Sequence, residues 1–198
     1  IYGPKGIKEI ITLQLRLSNS WTSYGLFFHE LESDQSEVIF EDEKVIVKTI
    51  PLKHRIYTNG YHFQEKTGEK RINADAMKQY QIPIHQFQNV KNGKDIVMED
   101  GSVIENAILA FEPVPAKSYA FCSDTIYDES IVKHITEVDV LYHESTFLES
   151  ESDLAEKTMH TTAKQAAMIA LKANVGQLLM GHYSTRYESI DLFRQEAQ

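Results

Sequence analysis

Ser118-Tyr-Ala-Phe-Cys-Ser-Asp-Thr125 carries the strongest evidence for the fold of this chain. Residues 119–122 have the composition of a short buried strand, and Asp124 is the first ionisable residue after it. A carboxylate at the carboxyl end of a parallel strand points into the crevice where open α/β sheets bind ligands. Asp124 is therefore a candidate site residue. On residue type alone, a cap for the turn before Ile126 is an equally good interpretation.

Strands and helices alternate along the last part of the chain. Further strands are predicted at 138–142 and 177–180, and helices at 130–135, at 163–173 and from about 190. Thr162 and Gln165 form a capping-box signature at the start of the second helix, and Gly176 lies just past its end. This alternation implies right-handed crossovers and a parallel sheet, so the expected fold class is α/β.

The first part of the chain is less regular. Apolar residues at helical spacing predict a helix from residue 7 to about residue 18, and short strands are predicted at 26–31, 38–40, 45–50 and 61–65. We expect Pro51 to end the third of these strands and Asn59-Gly60 to form a turn before the fourth. Residues 2–6 look like a loop inside a domain and the chain lacks an initiator Met, so we expect it to begin part-way through a longer protein.

The segment 66–112 differs in composition from the rest, being rich in Lys, Gln and Asn. A short helix is predicted at 74–80, and a hairpin is predicted from strands 96–98 and 102–104 around Glu99-Asp-Gly101. Between Lys44 and Lys94 ten Lys or Arg residues face three acids, although the whole chain carries a net charge of −9. We interpret the segment as an inserted arm, with a solvated face and an anion-binding surface as equal alternatives for its charge.

Composition excludes some classes of protein. The 198 residues are 42% hydrophobic, which is enough for a real core, and no run of about 18 apolar residues is present to span a membrane. The overall acidic charge argues against a general nucleic-acid binder. A single cysteine, Cys122, forms no internal disulfide and fits a reducing cytoplasm.

Four predicted strands are each followed or ended by a candidate metal ligand, in order His54, Asp124, His143 and His182. Parallel strands present their ends side by side, and imidazole and carboxylate groups there suit zinc or a harder divalent ion. A single histidine is more often a hydrogen-bonded core or surface residue. The recurrence at four strand ends favours a metal site.

Two other residues are candidates for handling a phosphate group. His160 precedes the best-capped helix, where it is placed to give a proton to a leaving oxygen or merely to pack against the loop. Arg186 follows His182 by four residues, and its guanidinium suits phosphate, with an ion pair to Glu188 or Glu144 as the alternative.

Several motifs in the chain resemble, in order, the later motifs of ribonuclease Z, the tRNA 3′-processing endonuclease of the metallo-β-lactamase superfamily. They are Pro51-Leu-Lys-His-Arg with Gly60-Tyr61, Ser123-Asp-Thr125, Tyr142-His-Glu-Ser-Thr-Phe147, His160-Thr-Thr-Ala with Gln165-Ala-Ala167, and His182-Tyr-Ser-Thr-Arg-Tyr187. The resemblance extends over nearly the whole chain. It implies a metallo-β-lactamase αβ/βα sandwich, incomplete at the N-terminus, with residues 1–198 as one such domain and 66–112 as its inserted arm.

The resemblance also implies roles for particular residues. His54 and His182 would each bind one zinc ion, and Asp124 would bridge the two, with manganese or iron as alternatives. His160 would assist protonation of the leaving group, while His143 and Glu144 would organise the site. Arg186 would match the family's phosphate-contacting arginine. Ser184, in the same loop, and Lys70 and Arg71, in the positively charged arm, are further candidates for substrate binding. The implied function is two-metal hydrolysis of tRNA precursors, and the family suggests a homodimer.

Two departures from the family pattern leave alternatives open. The HxHxDH motif, which supplies further metal ligands, is absent from this sequence, and Ile82-Pro83 continues as Ile84-His85-Gln86 where the family's arm has a Gly-Pro pair. We expect the missing motif to lie upstream of Ile1, so that this chain alone has part of the active site. The alternatives are a hydrolase of a small phosphodiester or ester with the same fold, and a non-catalytic RNA-binding protein.

Overall fold

The computed structural model describes all 198 residues and divides into two compact units. The first unit consists of Ile1–Gln64 and Lys117–Gln198, and the second of Glu65–Ala116. The strands are β1 (Tyr2–Pro4), β2 (His29–Leu31), β3 (Val38–Glu41), β4 (Val45–Leu52), β5 (Thr58–Glu65), β6 (Arg71–Ile72), β7 (Ile96–Val97), β8 (Val103–Ile104), β9 (Ala110–Phe111), β10 (Ser118–Cys122), β11 (Val140–Glu144) and β12 (Gln177–Gly181). The helices are α1 (Ile7–Leu17), α2 (Ala74–Gln79), α3 (Phe87–Lys91), α4 (Asn106–Leu109), α5 (Val132–Ile135), α6 (Ser152–Thr158), α7 (Ala163–Lys172) and α8 (Asp191–Glu196). None of these helices has the length and apolarity needed to cross a membrane.

A six-stranded sheet in the order β12-β11-β10-β5-β4-β3 is the centre of the first unit. β10, β11 and β12 are parallel to one another, which confirms the parallel arrangement predicted for the last part of the chain. β5 runs antiparallel to β10, and β3 runs antiparallel to β4. The sheet is therefore mixed, and its parallel half carries the strands that end in polar residues.

The core of the first unit lies between one face of this sheet and its helices. Its fully buried members include Ile50 of β4, Leu141 of β11, Ile135 of α5 and Ile169 of α7. Helix α7 begins with the predicted capping box, in which Thr162 and Gln165 exchange hydrogen bonds with each other's backbone N–H groups. A helix fixed at its first turn and packed on the sheet holds the preceding loop, residues 159–162, in place.

Three local predictions were wrong. β4 continues through Pro51 to Leu52. The register of β4 with β3 reaches only Lys48, so Pro51, which has no N–H, lies beyond that ladder. Asn59-Gly60 lies inside β5 rather than in a turn. Gly60 packs against β10 there, and a Cβ at this position would approach the carbonyl oxygen of Phe121 to 2.5 Å. Residues 2–4 form β1, paired with β2, rather than a loop.

The second unit has a small core of its own. Short helices α2, α3 and α4 pack with the β6–β9 and β7–β8 pairs around apolar side chains that include Met77, Val90, Ile96 and Leu109. The predicted helix at 74–80 and the hairpin around Glu99-Asp-Gly101 are confirmed. Buried Asn106 donates to the carbonyl groups of Val90 and Lys94, which ties α4 to the end of α3.

Candidate metal and phosphodiesterase site

The polar ends of the strands meet at one edge of the first unit. Asp124 follows β10, Glu144 ends β11, and His182 follows β12, all at the carboxyl ends of parallel strands. Asp124 and His182 adopt positive φ values of 54° and 61°. Non-glycine residues in this region cost free energy and persist where the surrounding structure fixes them, which is common at functional sites.

His54, Asp124 and His160 form one group whose candidate ligand atoms lie within 4.8 Å of one another. Glu144, His160 and His182 form a second group at the same spacing. Nε2 of His182 also lies 3.3 Å from Oδ1 of Asp124. The structure thus brings together all three predicted metal ligands and the predicted proton donor, and His160 lies between the other two imidazoles, 5.2 Å from each ring centroid.

Asp124 is not a turn cap. The nearby N–H of Ile126 donates to the carbonyl oxygen of Lys53, while the Asp124 carboxylate faces His182. The carboxylate is therefore free of local backbone bonds and available to a ligand in the site.

Hydrogen bonds at Nδ1 fix the orientation of two of the histidines. Nδ1 of His54 lies 3.0 Å from the carbonyl oxygen of Met159, which can only accept, so this nitrogen carries the proton. Nδ1 of His160 lies 2.8 Å from Oε1 of Glu144 and donates to it. In their neutral forms both rings keep the lone pair on Nε2.

His182 also keeps its lone pair on Nε2, because its Nδ1 donates to a hydroxyl group. The Thr146 hydroxyl donates its one proton to Oε2 of Glu144 at 2.5 Å, so it accepts from Nδ1 of His182 at 2.8 Å. Metal-binding histidines in proteins almost always donate their other ring N–H to a carbonyl, carboxylate or similar acceptor. All three imidazoles of the site meet this condition.

Glu144 is the organising residue of the site. Its carboxylate is completely buried. It accepts hydrogen bonds from the backbone N–H groups of Thr125, Thr146 and Thr161 at 2.8–3.3 Å, in addition to those from the Thr146 hydroxyl and His160. One side chain therefore connects the loops that follow β10 and β11 with the loop before α7.

The three threonines and the Met159 carbonyl are functional groups that the strand-end pattern did not reveal. The Thr161 hydroxyl donates to the carbonyl oxygen of Thr125 at 2.6 Å and joins two of the loops directly. Their only signal in the sequence is their position inside the motifs around Asp124, Glu144 and His160.

Arg186 lies on the exposed side of the site. Its Cζ is 6.0 Å from the centroid of the Phe147 ring, and it forms no ion pair with Glu188 or Glu144. The Ser184 N–H donates to the Thr146 carbonyl at 3.0 Å, which anchors the 184–187 loop beside the Glu144 network. The guanidinium lies over Phe147, whose ring centroid is 6.3 Å from that of His160, and its N–H donors are free for an anion.

Two residues near the site are excluded from its chemistry by burial. His143 is buried, its Nδ1 contacts the Glu144 carbonyl at 2.7 Å, and burial lowers its pKa. Burial raises the pKa of the Cys122 thiol to about 12, so it stays protonated and unreactive at neutral pH.

Lys70 and Arg71, the predicted tRNA contacts, lie in the second unit. Lys70 forms an ion pair with Glu112 at 2.7 Å, and Cζ of Arg71 lies 6.0 Å from the centroid of the Phe111 ring. Lys78 and Lys94 of the same unit are exposed and have no carboxylate partner. The positive charge available to a polyanion on this unit therefore includes Lys78 and Lys94 as well as the two predicted residues.

The donor set fits a divalent transition metal ion. His54, His182 and Asp124 offer imidazole nitrogen and carboxylate oxygen, which zinc, manganese and iron all accept. The proton on each imidazole Nδ1 leaves Nε2 as the donor atom. These residues would hold the metal, and further ligands are needed to complete two sites.

Comparisons with known proteins agree with this geometry. No family model matches the sequence. A curated protein named ribonuclease Z from Bacteroides fragilis is 44% identical over 197 residues, covering 100% of this chain and 65% of that relative. The chain therefore spans slightly less than two thirds of the length of the relative.

Two solved structures show the fold. Human tRNase Z, short form, gives a TM-score of 0.59 at 22% identity, covering 96% of this chain and 62% of that protein. The metallo-β-lactamase fold protein YhfI from Bacillus subtilis gives a TM-score of 0.57 at 16% identity, covering 100% of this chain and 56% of that protein. The predicted fold is confirmed: nearly the whole chain matches these structures, and it corresponds to part of the metallo-β-lactamase fold.

Proposed function

We propose, from the homology of the whole chain to ribonuclease Z, that the intact protein is a metal-dependent endoribonuclease. Its substrate would be a tRNA precursor, from which it would remove the 3′ trailer. The observation that carries the proposal is the convergence of three imidazoles and the Asp124 carboxylate at one edge of the first unit. Asp124 and His182 lie there at the carboxyl ends of parallel strands.

His54, Asp124 and His182 would hold the metal ions, with zinc as the proposed metal. When bound, divalent ions supply Lewis acidity that activates water and offsets the charge developing on a phosphate. The Asp124 carboxylate lies 3.3 Å from His182, and its oxygen lies within 4.8 Å of a ring nitrogen of His54, which supports Asp124 as the residue that would serve both ions.

His160 would handle the proton in this reaction. Protonated on both nitrogens, it would keep its Nδ1 bond to Glu144 and present Nε2–H to the leaving oxygen. The buried Glu144 carboxylate stabilises that imidazolium and fixes the ring. Arg186 would bind a phosphate oxygen through its free donors.

Replacing His160 with alanine is expected to slow cleavage by about 10²–10⁴-fold, the usual contribution of a general acid. Zinc content, measured by elemental analysis of the purified intact protein, should stay unchanged because His160 already binds Glu144. His29→Ala, at an exposed histidine of β2, is the control and should retain both activity and metal. A loss of zinc in His160→Ala would show that this residue is a metal ligand instead.

The second unit would bind the tRNA backbone. Neutralising Lys70, Arg71 and Lys78 is expected to weaken binding of a tRNA precursor and to lower the salt dependence of log Kd by about 0.7–0.9 for each phosphate that is no longer neutralised. Hydrolysis of a small phosphodiester, such as bis(p-nitrophenyl) phosphate, should not change. Neutralising Lys8, Lys44 and Lys157, three exposed lysines of the first unit, is the matched control.

Equal effects on tRNA and on the small phosphodiester would discard the role of the second unit and favour a small-substrate hydrolase. A cytoplasmic location and a homodimer belong to the same proposal. The first is supported by the single reduced, buried Cys122 and the second by the family resemblance.

A further inference from the structure

A cavity in the first unit shares no residue with the candidate metal site. It has a volume of about 210 Å³ and is lined on its polar side by Lys48, His62, Lys133 and His134. No carboxylate lines it. These four side chains come from β4, β5 and α5, so regular secondary structure rather than a loop positions most of the cavity wall.

The hydroxyl groups in the cavity wall are already used. Ser36 donates to the carbonyl oxygen of Thr49, and Thr136 donates to that of Val132. The free hydrogen-bonding capacity of the cavity therefore belongs to its lysines and histidines.

Neither lysine of the cavity has an acidic partner. Several other lysines of the first unit are paired, such as Lys53 with Asp128 at 3.1 Å and Lys117 with Asp139 at 2.7 Å. Lys48 and Lys133 form no such pair. Two positive charges thus remain uncompensated beside two imidazoles, an arrangement that an anion would stabilise.

His62 supplies an independent sign of a ligand. Its Nε2 is buried and has no hydrogen-bond partner. Buried polar atoms in proteins are nearly always paired, so an unpaired one calls for a bound group. Burial lowers the pKa of His62, and Lys48 lowers it further; burial and the two lysines also lower the pKa of His134. The surroundings therefore disfavour further positive charge.

We propose that this cavity binds a small tetrahedral oxyanion, namely inorganic phosphate. The two ammonium groups neutralise its charge, and the ring nitrogens of His62 and His134 donate or accept hydrogen bonds according to its protonation state. The small volume suits a free oxyanion rather than a stretch of nucleic-acid backbone. This site is separate from the proposed phosphodiesterase site.

The test is a phosphate titration of the intact protein, followed by ³¹P NMR with a chelator present so that the metal site is empty. Wild-type protein and Lys44→Met, which removes an exposed charge next to β4, should bind phosphate with the same Kd. Lys48→Met and Lys133→Met should each bind roughly ten-fold more weakly, the loss expected for one charged hydrogen bond. Absence of binding in the wild type, or equal binding in all four proteins, would overturn the proposal.

A second measurement keeps the result independent of the folding of the variants. In wild-type protein the ring ¹⁵N signals of His62 and His134 should shift on addition of phosphate, whereas that of exposed His85 should not. Shifts confined to His160 or His182 would assign the phosphate to the metal site and contradict phosphate binding in this cavity.

Discussion

Asp124→Ala is expected to abolish metal-dependent cleavage of a tRNA precursor by the intact protein. The Asp124 carboxylate faces His182, and it also lies within 4.8 Å of a ring nitrogen of His54. Its removal therefore takes a ligand from both proposed ions. We expect a fall in kcat/KM of roughly 10³-fold or more, larger than the loss of a single charge-stabilising donor. The measurement is cleavage of a labelled precursor together with the zinc content of the variant.

Asp124→Asn serves as the closer comparison, since it keeps the shape of the side chain and removes its charge. It should lose activity and zinc nearly as fully as the alanine variant. Asp153→Asn, at an exposed aspartate of α6, should behave like the wild type. Near-normal turnover in either Asp124 variant would refute the proposed bridging role.

Glu144→Ala is expected to have the largest effect on stability. It leaves three buried backbone N–H groups, the Thr146 hydroxyl and the His160 ring without their acceptor. An unsatisfied buried donor costs about 1–3 kcal/mol, so the free energy of unfolding should fall by about 3 kcal/mol or more. Cleavage should also fall at least as far as in His160→Ala, because His160 and His182 lose the network that orients them.

Urea denaturation of the intact protein measures the change in stability. Glu156→Ala, at an exposed glutamate of α6 with no partner, is the matched control and should change the free energy of unfolding by less than about 0.5 kcal/mol. A Glu144→Ala protein as stable as the control would show that the network contributes little to the fold.

The alternation of strands and helices after residue 118 was enough to predict the parallel half of the sheet. Each strand is a short apolar run ended by a polar residue, and α7 carries its start signal in Thr162 and Gln165. These signals are local. Where the structure depends on a distant partner, as at Gly60 against Phe121 or β1 against β2, the local pattern was misleading.

In the candidate site, too, some residues can be found from local sequence patterns and others depend on distant contacts. Residues directly after strands, such as Asp124 and His182, can be found from the strand pattern, and their meeting at one edge follows from parallel pairing. The Glu144 network cannot be found this way, because its backbone donors come from three different loops, two of them 17 and 19 residues from the acceptor and the third 2 residues away. The imidazole tautomers depend on these contacts and required the three-dimensional structure.

The proposed metal ligands can be tested most directly by anomalous diffraction at the zinc edge from crystals of the intact, metal-loaded protein. We predict peaks at about 2.0–2.2 Å from Nε2 of His54, a carboxylate oxygen of Asp124 and Nε2 of His182, with His160 still bonded to Glu144. Zinc bound by His160 and Glu144 in place of His54 or His182, or no peak at these strand ends, would show that the ligand assignment is wrong.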